Sequence, residues 1–209
     1  MDGQPSDRGE ANESGRCPWC LGSALYVDYH DNEWGVPCRD ERKLFEMLSL
    51  EGAQAGLSWI TILKRREAYR RLFHRFEPMR LATFDAADVD RLALVPDIVR
   101  HRGKIAAVAG NARALLRMHE SGETLSELAW GFVDGEPRQN RPGSMAEVPA
   151  STATSKALSR ELKARGFAFV GPTIAYAFMQ AAGLVNDHLE GCPRQAEVAA
   201  LASRVNGSS

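Results

Sequence analysis

The chain has 209 residues, of which 44% are hydrophobic and 25% are charged, and its formal net charge is −1. These values are typical of one globular domain and exclude a basic field over the whole surface, so a nucleic-acid partner would need locally concentrated basic residues. No apolar run reaches the roughly 18 residues that a membrane span requires, and we expect no membrane contact.

Residues 1–15 are polar, acidic and rich in glycine and serine, and they lack the charged and then apolar order of a signal peptide. We expect a disordered tail there and a single domain over residues 16–193. Without an export signal, the protein is expected in the cytoplasm. Its four cysteines would then lie in a reducing compartment, where thiols more often bind metal or stay free than form disulfides.

Helical periodicity dominates the rest of the chain, and strand-like alternation is scarce. In ERKLFEMLSLEGAQAG, Leu44, Met47 and Leu48 recur on one helical face, and Asp40 is a suitable N-cap. A second helix is predicted to begin near Ser58 and to end at Pro78.

The remaining predicted elements are also helical. Helical signals cover residues 85–94, 104–122, 126–135, 155–165 and 172–185, and a loop rich in proline and glycine covers 135–151. Thr152 is suited to cap the helix at 155–165, Gly166 to end it, and Pro172 to begin the last helix. The predicted fold class is therefore all-α, with roughly seven to nine helices.

Glu51 continues the apolar face of the first predicted helix. A carboxylate in that position is unfavourable unless it has a partner. Periodicity alone leaves two interpretations open. The partner is either structural, such as an arginine or a helix N-terminus, or it is a bound ligand.

Cysteines and histidines at the two ends of the chain indicate a metal site. His188 and Cys192 are separated by three residues, and Cys17 and His30 by twelve. Together they make a Cys2His2 set, which is typical of tetrahedral zinc. Such a site would join the N-terminal segment to the C-terminal one, and it would be structural because no coordination position stays open.

The ligand set has more candidates than positions. Cys20 can replace Cys17, and Cys38 is a further, less favoured candidate. The alternative for the CxxC pair is two free thiols or a redox motif, although no βαβ pattern surrounds it. The other histidines, His74, His101 and His119, lie in helical or basic contexts and are expected to be solvated.

Long stretches of the chain resemble one known family. The stretches are YHDNEWGVP, LFEMLSLEGAQAGLSWITILKRREAYRRLF, IVRHRGKIAAVAGNARA, RGFAFVGPTIAYAFMQAAGLVNDH and the final Cys192. They resemble the 3-methyladenine DNA glycosylase I family, a zinc-containing branch of the helix-hairpin-helix glycosylases, from about Arg16 to Cys192. Residues 194–209 are not covered and stay unassigned.

The resemblance implies a helix-hairpin-helix DNA glycosylase fold with one structural zinc ion joining the two chain ends. The family's zinc ligands fall on Cys17, His30, His188 and Cys192, which favours Cys17 over Cys20.

The implied reaction is hydrolysis of the N-glycosidic bond of 3-methyladenine in double-stranded DNA. The products are free 3-methyladenine and an abasic site. Because the methylated base is a cation that leaves as a neutral molecule, the enzyme needs a selective pocket more than a strong general acid. No lysine is placed to form a Schiff base, so we expect a monofunctional enzyme. We also expect it to act as a monomer.

A cationic ring favours aromatic faces and a negative charge. The resemblance implies that Glu51 and Tyr29 hydrogen-bond the flipped base and that Trp59 stacks on it. Tyr26 and Trp34 are expected to form pocket wall. For the aromatic residues other than Tyr29, ordinary core packing is the alternative.

The helix-hairpin-helix element is expected in LKARGFAFVGPTIAYAF. Gly166 and Gly171 bracket a tight turn, after which the N-terminal amides of the next helix can bind a phosphate without reading sequence. Lys163 and Arg165 flank this turn.

Two further features are candidates for contact with DNA. Leu57, after Gly56, is expected to fill the gap left by the flipped nucleotide, with a buried loop leucine as the alternative. The basic cluster at 100–104 is favoured for phosphate contact. The basic cluster at 64–71 is interpreted as a solvated helix face.

Two other functions compete with this interpretation. One is a non-catalytic, zinc-stabilised helical DNA-binding protein, which would have no use for Glu51 near phosphates. The other is a zinc hydrolase, which would require an open coordination position.

Asp187, beside His188, is expected to be structural and not a catalytic base.

Overall fold

The structure is a computed structural model and describes residues 15–206. Within these residues the chain forms eleven α-helices, three short 3-10 helices and two short strands. The α-helices are α1 (Ala24–Asn32), α2 (Glu41–Gln54), α3 (Trp59–Leu63), α4 (Arg66–Leu72), α5 (Pro78–Leu81), α6 (Ala86–Ala93), α7 (Arg102–Glu120), α8 (Leu125–Gly131), α9 (Ala153–Ala164), α10 (Pro172–Ala181) and α11 (Pro193–Asn206). The 3-10 helices are Pro18–Cys20, His74–Phe76 and Met145–Glu147, and the strands are β1 (Arg138–Gln139) and β2 (Val185–Asn186).

The all-α class is confirmed, and several predicted ends are where local chemistry places them. Asp40 accepts a hydrogen bond from the Lys43 amide at 2.8 Å and caps α2. Thr152 caps α9, and Pro172 occupies the first turn of α10. The predicted tail over 1–15 lies, apart from Gly15, outside the described residues.

The helix predicted from Ser58 to Pro78 is wrong in its continuity. The chain instead forms α3, α4 and a turn at His74–Phe76, in which all three residues have positive φ, between 48° and 55°. This turn buries Phe76, whose ring stacks on Phe73 at 6.0 Å. Such breaks bring the described chain to more helices than the seven to nine predicted.

The last predicted helix ends at Ala181 and not at Val185. Gly183 follows at φ +72°, and a Cβ there would lie 2.5 to 2.6 Å from backbone atoms of residues 35–37. Only glycine fits such a close approach, and its left-handed backbone cannot continue a right-handed helix. The chain then forms β2, which pairs in parallel with β1. Neither strand was predicted, and the segment after β2 carries His188.

The core surrounds α2, which contacts α7, α8 and α10. Phe45, Leu48, Leu115 and Phe178 are fully or almost fully buried there. The helices α9 and α10 pack on each other across the turn at 165–171, an arrangement that is compatible with the predicted helix-hairpin-helix unit. Within the described residues, no helix has the length and apolar character needed to cross a membrane.

Candidate active site and metal centre

Four residues from the two ends of the described chain meet at one buried point. His30 is on α1, Cys17 precedes the first 3-10 helix, His188 follows β2, and Cys192 immediately precedes α11. One ligand atom of each lies within 4.8 Å of the other three. These are the four ligands predicted from the sequence.

Four of the six distances among these atoms fit a tetrahedral ion. His30 Nε2 and His188 Nδ1 are 3.2 Å apart, and Cys192 Sγ lies 3.5 and 3.7 Å from the two nitrogens. Cys17 Sγ lies 3.8 Å from His188 Nδ1. A zinc ion with bonds of about 2.3 Å to sulfur and about 2.0 Å to nitrogen gives edges of about 3.3 to 3.8 Å. The group can therefore hold a metal ion of this kind.

Cys20 does not join the group, because its thiol donates to the Cys17 carbonyl at 3.1 Å.

The histidine ring nitrogens that face away from the centre also have partners. His30 Nδ1 lies 2.7 Å from Asp31 Oδ1, and His188 Nε2 lies 3.1 Å from the Trp34 carbonyl oxygen. Such outer contacts fix the orientation of metal-ligating histidines. Hydrogen bonds with Cys17 and then with the two histidines lower the pKa of the Cys192 thiol, which favours the thiolate that a metal binds.

A cavity of about 290 Å³ lies beside this centre. Its wall includes all five residues predicted to bind or surround the base, together with Trp19, Tyr176 and Gln180. The five are Tyr26, Tyr29, Trp34, Glu51 and Trp59. They come from α1, the segment after it, α2 and the start of α3, so the fold assembles one pocket from residues over 30 positions apart.

Glu51 is the charged residue of this wall, and its side chain has no partner within the protein. The residue is 4% exposed, and none of the described residues forms a hydrogen bond or an ion pair with its carboxyl group. Burial raises the pKa of this carboxyl group to about 8. The structural partner that periodicity left open is therefore absent among the described residues, and a ligand remains.

Aromatic rings surround the carboxyl group. Tyr29 and Trp59 lie with ring centroids 5.4 Å apart, and Trp19 meets Tyr26 at 5.1 Å and Trp34 at 5.0 Å. Sequence reasoning missed Trp19, although its place in RCPWC, two residues after Cys17, indicates that it lies near the metal centre. The arrangement suits a flat cation that offers a hydrogen-bond donor to Glu51.

A larger cavity, of about 480 Å³, lies on the other side of Tyr29 and Trp59. Its glutamates are already paired: Glu33 is bidentate to Arg66 at 2.6 and 2.8 Å, and Glu46 bonds Arg70 at 2.8 Å. Because these charges are neutralised within the protein, the smaller cavity with the unpaired Glu51 is the better ligand site.

The predicted DNA-contacting residues lie around the hairpin and the loop after α2. Gly166 has φ +91°, as expected of a residue that ends α9, and Lys163 is exposed. The Arg165 guanidinium is bonded to Glu123 at 2.9 and 3.2 Å and to Glu161 at 2.7 Å, so it would have to exchange an acidic partner for a phosphate. Gly171 is the N-cap of α10.

Gly56 has φ +77°, and Leu57 is 41% exposed, which is contrary to a buried loop leucine. Lys104, in the basic cluster favoured for phosphate contact, instead donates to the carbonyls of Ala53 and Ala55 at 2.9 and 2.5 Å. It satisfies free carbonyls at the C-terminal end of α2, and the phosphate role expected for that part of the cluster does not fit its position.

Asp187 fits the structural role expected of it. Its carboxylate accepts hydrogen bonds from the Tyr176 hydroxyl and the Gln180 amide, both at 2.7 Å, and from Asn140 at 2.6 Å. These donors satisfy both oxygens and leave the group poorly placed to act as a base.

Comparison with known proteins agrees with this site. Residues 19–195 match the sequence profile of a family described as methyladenine glycosylase. DNA-3-methyladenine glycosylase 1 of Escherichia coli K12 is 55% identical over 177 residues, which cover 85% of this chain and 95% of that protein.

Two solved structures are also similar. A crystal structure of 3-methyladenine DNA glycosylase I superposes with a TM-score of 0.84 at 56% identity and covers 85% of this chain and 98% of the other. A variant of 3-methyladenine DNA glycosylase I in complex with 3-methyladenine has a TM-score of 0.83 at 38% identity and covers 87% and 97% of the two chains. The chain therefore belongs to the methyladenine glycosylase family.

Proposed function

We propose that this chain is a monofunctional DNA glycosylase that excises 3-methyladenine from double-stranded DNA, acting as a monomer. The observation that carries the proposal is the unpaired, buried Glu51 among aromatic rings. The relatives named DNA-3-methyladenine glycosylase and the similar structure with bound 3-methyladenine support it.

The pocket has a physical reason to select the methylated base. Methylation at N3 gives the ring a positive charge, and the exocyclic amine of adenine is a hydrogen-bond donor. When the cationic base binds, Glu51 releases the proton that burial favours and supplies the opposite charge and an acceptor, while Tyr29 and Trp59 supply π faces. Unmodified adenine is neutral and gives the buried carboxyl group no positive charge to pair with on ionising, so it gains nothing from this interaction.

The chemistry then needs little acid catalysis. The glycosidic bond breaks, its electron pair passes to the base, and the positive charge of the ring is neutralised. Water adds to the sugar carbon and loses a proton, which leaves an abasic site. Glu51 holds the base while the bond breaks, and the ring walls exclude water from the base.

We assign the metal site to one structural zinc ion on Cys17, His30, His188 and Cys192. When bound, zinc would tie the two ends of the domain together. Four protein ligands leave no open position, which argues against a zinc hydrolase.

DNA contact is assigned to the surface around α10 and the loop after α2. Leu57 would fill the gap left by the flipped base, with Gly56 allowing the turn that presents it. The hairpin between Gly166 and Gly171 and the start of α10 would bind the phosphate backbone, together with Lys163 and, after exchange of its acidic partners, Arg165.

The test is the release of free 3-methyladenine from duplex DNA treated with a methylating agent, measured by chromatography. Release with no strand cleavage supports the proposal. Binding of the methylated duplex with no release would instead support the non-catalytic DNA-binding alternative and overturn the enzyme assignment.

Replacing Lys104 with methionine tests whether Lys104 holds the loop that carries Leu57. Methionine keeps an unbranched apolar chain but lacks the ammonium group, so the carbonyls of Ala53 and Ala55 lose their donor. We expect kcat/KM for methylated duplex to fall about tenfold, while the Kd of free 3-methyladenine changes less than about twofold.

The matched control is Lys64→Met, at an exposed lysine of the other basic cluster. It should leave both quantities unchanged. An equal loss of base excision and of free-base affinity in Lys104→Met would show that Lys104 supports the base pocket itself and not the loop.

A further inference from the structure

Phe169 lies at the tip of the hairpin between α9 and α10 and has an unusual conformation. Its side chain is 37% exposed, and its φ is +55°, a region that is unfavourable for a residue with a Cβ. Among the described residues whose large apolar side chains remain exposed, it is the aromatic one. A glycine or asparagine would occupy this backbone position more easily and would expose less apolar surface.

The backbone on each side of Phe169 is held by side chains. The amide of Asn111 accepts from the Ala168 N–H at 2.8 Å and donates to the Ala168 carbonyl at 3.1 Å. Ser159 donates to the Val170 carbonyl at 2.6 Å. These bonds fix the hairpin so that Phe169 stays in its left-handed conformation.

Two glycines make room for the residue. A Cβ on Gly52 would lie 3.2 and 3.3 Å from Phe169 backbone and Cβ atoms, and one on Gly103 would lie 3.7 Å from the ring. The His101 ring meets the Phe169 ring edge-on at 6.0 Å. Phe169 therefore lies between the first turn of α7 and the part of α2 immediately after Glu51.

The same region of the molecule includes the Leu57 loop. Lys104, next to Gly103, donates to the carbonyls of Ala53 and Ala55 and so joins the first turn of α7 to the chain just before Gly56 and Leu57. Two exposed apolar side chains, Leu57 and Phe169, are thus carried by segments packed on the C-terminal end of α2.

We propose that Phe169 is a second apolar contact with the duplex, whose ring packs against a base or sugar beside the flipped nucleotide while Leu57 fills the gap. This inference rests on the proposed glycosylase function. Aromatic rings stack on nucleic-acid bases without regard to sequence, which suits an enzyme that searches DNA for one lesion.

The test compares Phe169→Gly and Phe169→Asn with the unaltered chain. Both replacements tolerate a positive φ, so the fold should be kept and the Tm should stay the same or rise. We expect the Kd for a duplex with an abasic-site analogue to rise about tenfold and kcat/KM for methylated duplex to fall by a similar factor, mainly through KM. The Kd of free 3-methyladenine should not change.

Two further variants complete the test. Phe169→Tyr keeps an aromatic ring and should retain most of the DNA affinity, and Met79→Ala, at a 65% exposed residue of α5, should change nothing. An unaltered DNA affinity in both the Gly and the Asn variant would overturn the inference. A lowered Tm together with weaker binding of free 3-methyladenine would also overturn it, because it would show that Phe169 has a packing role. If the unaltered chain releases no 3-methyladenine, the proposed function fails; if it does and Phe169→Gly is as active, only this inference fails.

Discussion

Replacing Glu51 with glutamine is expected to remove most base excision and, at the same time, to stabilise the folded protein. Glutamine keeps the shape and an acceptor oxygen but loses the charge that would pair with the cationic base. Loss of one partner of a buried charged hydrogen bond costs about 2–5 kcal/mol, so the release of 3-methyladenine should fall by at least about 30-fold. Chromatography of released base and titration with free 3-methyladenine measure this loss.

The gain in stability follows from the pKa of the carboxyl group. Burial raises this pKa from the ordinary value of 4.5 to about 8, so the folded chain holds a proton that the unfolded chain releases between these values. The free energy of unfolding therefore falls as pH rises from about 4.5 to about 8. The full cost of burying the ionised carboxylate is present above that range. Glutamine does not ionise, so it escapes this penalty.

Denaturant unfolding at pH 5 and at pH 8 measures the difference. We expect Glu51→Gln to match the unaltered chain near pH 5 and to exceed its free energy of unfolding near pH 8, by on the order of a few kcal/mol. A variant that is destabilised at pH 8 would show that Glu51 has a structural partner and would remove it from the binding site.

Glu46→Gln is the matched control, because Glu46 is on the same helix and its carboxylate is bonded to Arg70. It should keep excision. It should also gain no stability near pH 8, because its charge is already paired.

Much of the fold was predictable because it depends on local chemistry. Asp40, Thr152 and Pro172 lie at helix starts for reasons within three or four residues of each, and the apolar face of α2 follows from periodicity. The turn at His74–Phe76 and the pairing of β1 with β2 were not predictable, because each involves contacts between distant segments: the turn packs on α2, and β1 pairs with β2.

The candidate site shows the same division. Spacing identified the Cys2His2 set, family resemblance favoured Cys17 over Cys20 and identified residues of the pocket wall, and the structure brings each set together. Trp19, the carbonyl contacts of Lys104 and the acidic partners of Arg165 were not foreseen. A cationic side chain in a basic run can face DNA or a carbonyl inside the protein, and only its three-dimensional surroundings distinguish the two.

Replacing Cys192 with serine is expected to release the metal, destabilise the domain and weaken the base pocket together. The pocket should respond because its aromatic walls contact or adjoin the residues of the metal centre. The Trp34 carbonyl contacts His188, the Trp19 ring meets the His30 ring at 5.4 Å, and Tyr29 precedes His30 on α1. If the metal-binding residues change position, the aromatic residues Trp19, Tyr29 and Trp34 of the pocket would therefore move as well.

Metal analysis should find one zinc per chain in the unaltered protein and substoichiometric zinc in Cys192→Ser. The free energy of unfolding should fall by on the order of several kcal/mol, less than in a zinc finger because this domain has its own apolar core. The Kd of free 3-methyladenine should rise. Cobalt substitution gives a readout that is independent of activity, since tetrahedral cobalt bound by thiolates has strong visible absorption in the unaltered chain only.

Cys20→Ser is the control that separates a ligand from a neighbouring thiol. Cys20 is as buried as Cys17 and only three residues from it, but its thiol donates to a carbonyl. We expect full zinc content, an unshifted cobalt spectrum and unchanged base affinity in this variant. Zinc loss in Cys20→Ser with retention in Cys17→Ser would reverse the ligand assignment. A metal-free Cys192→Ser with unchanged base affinity would show that the pocket walls keep their positions without the metal.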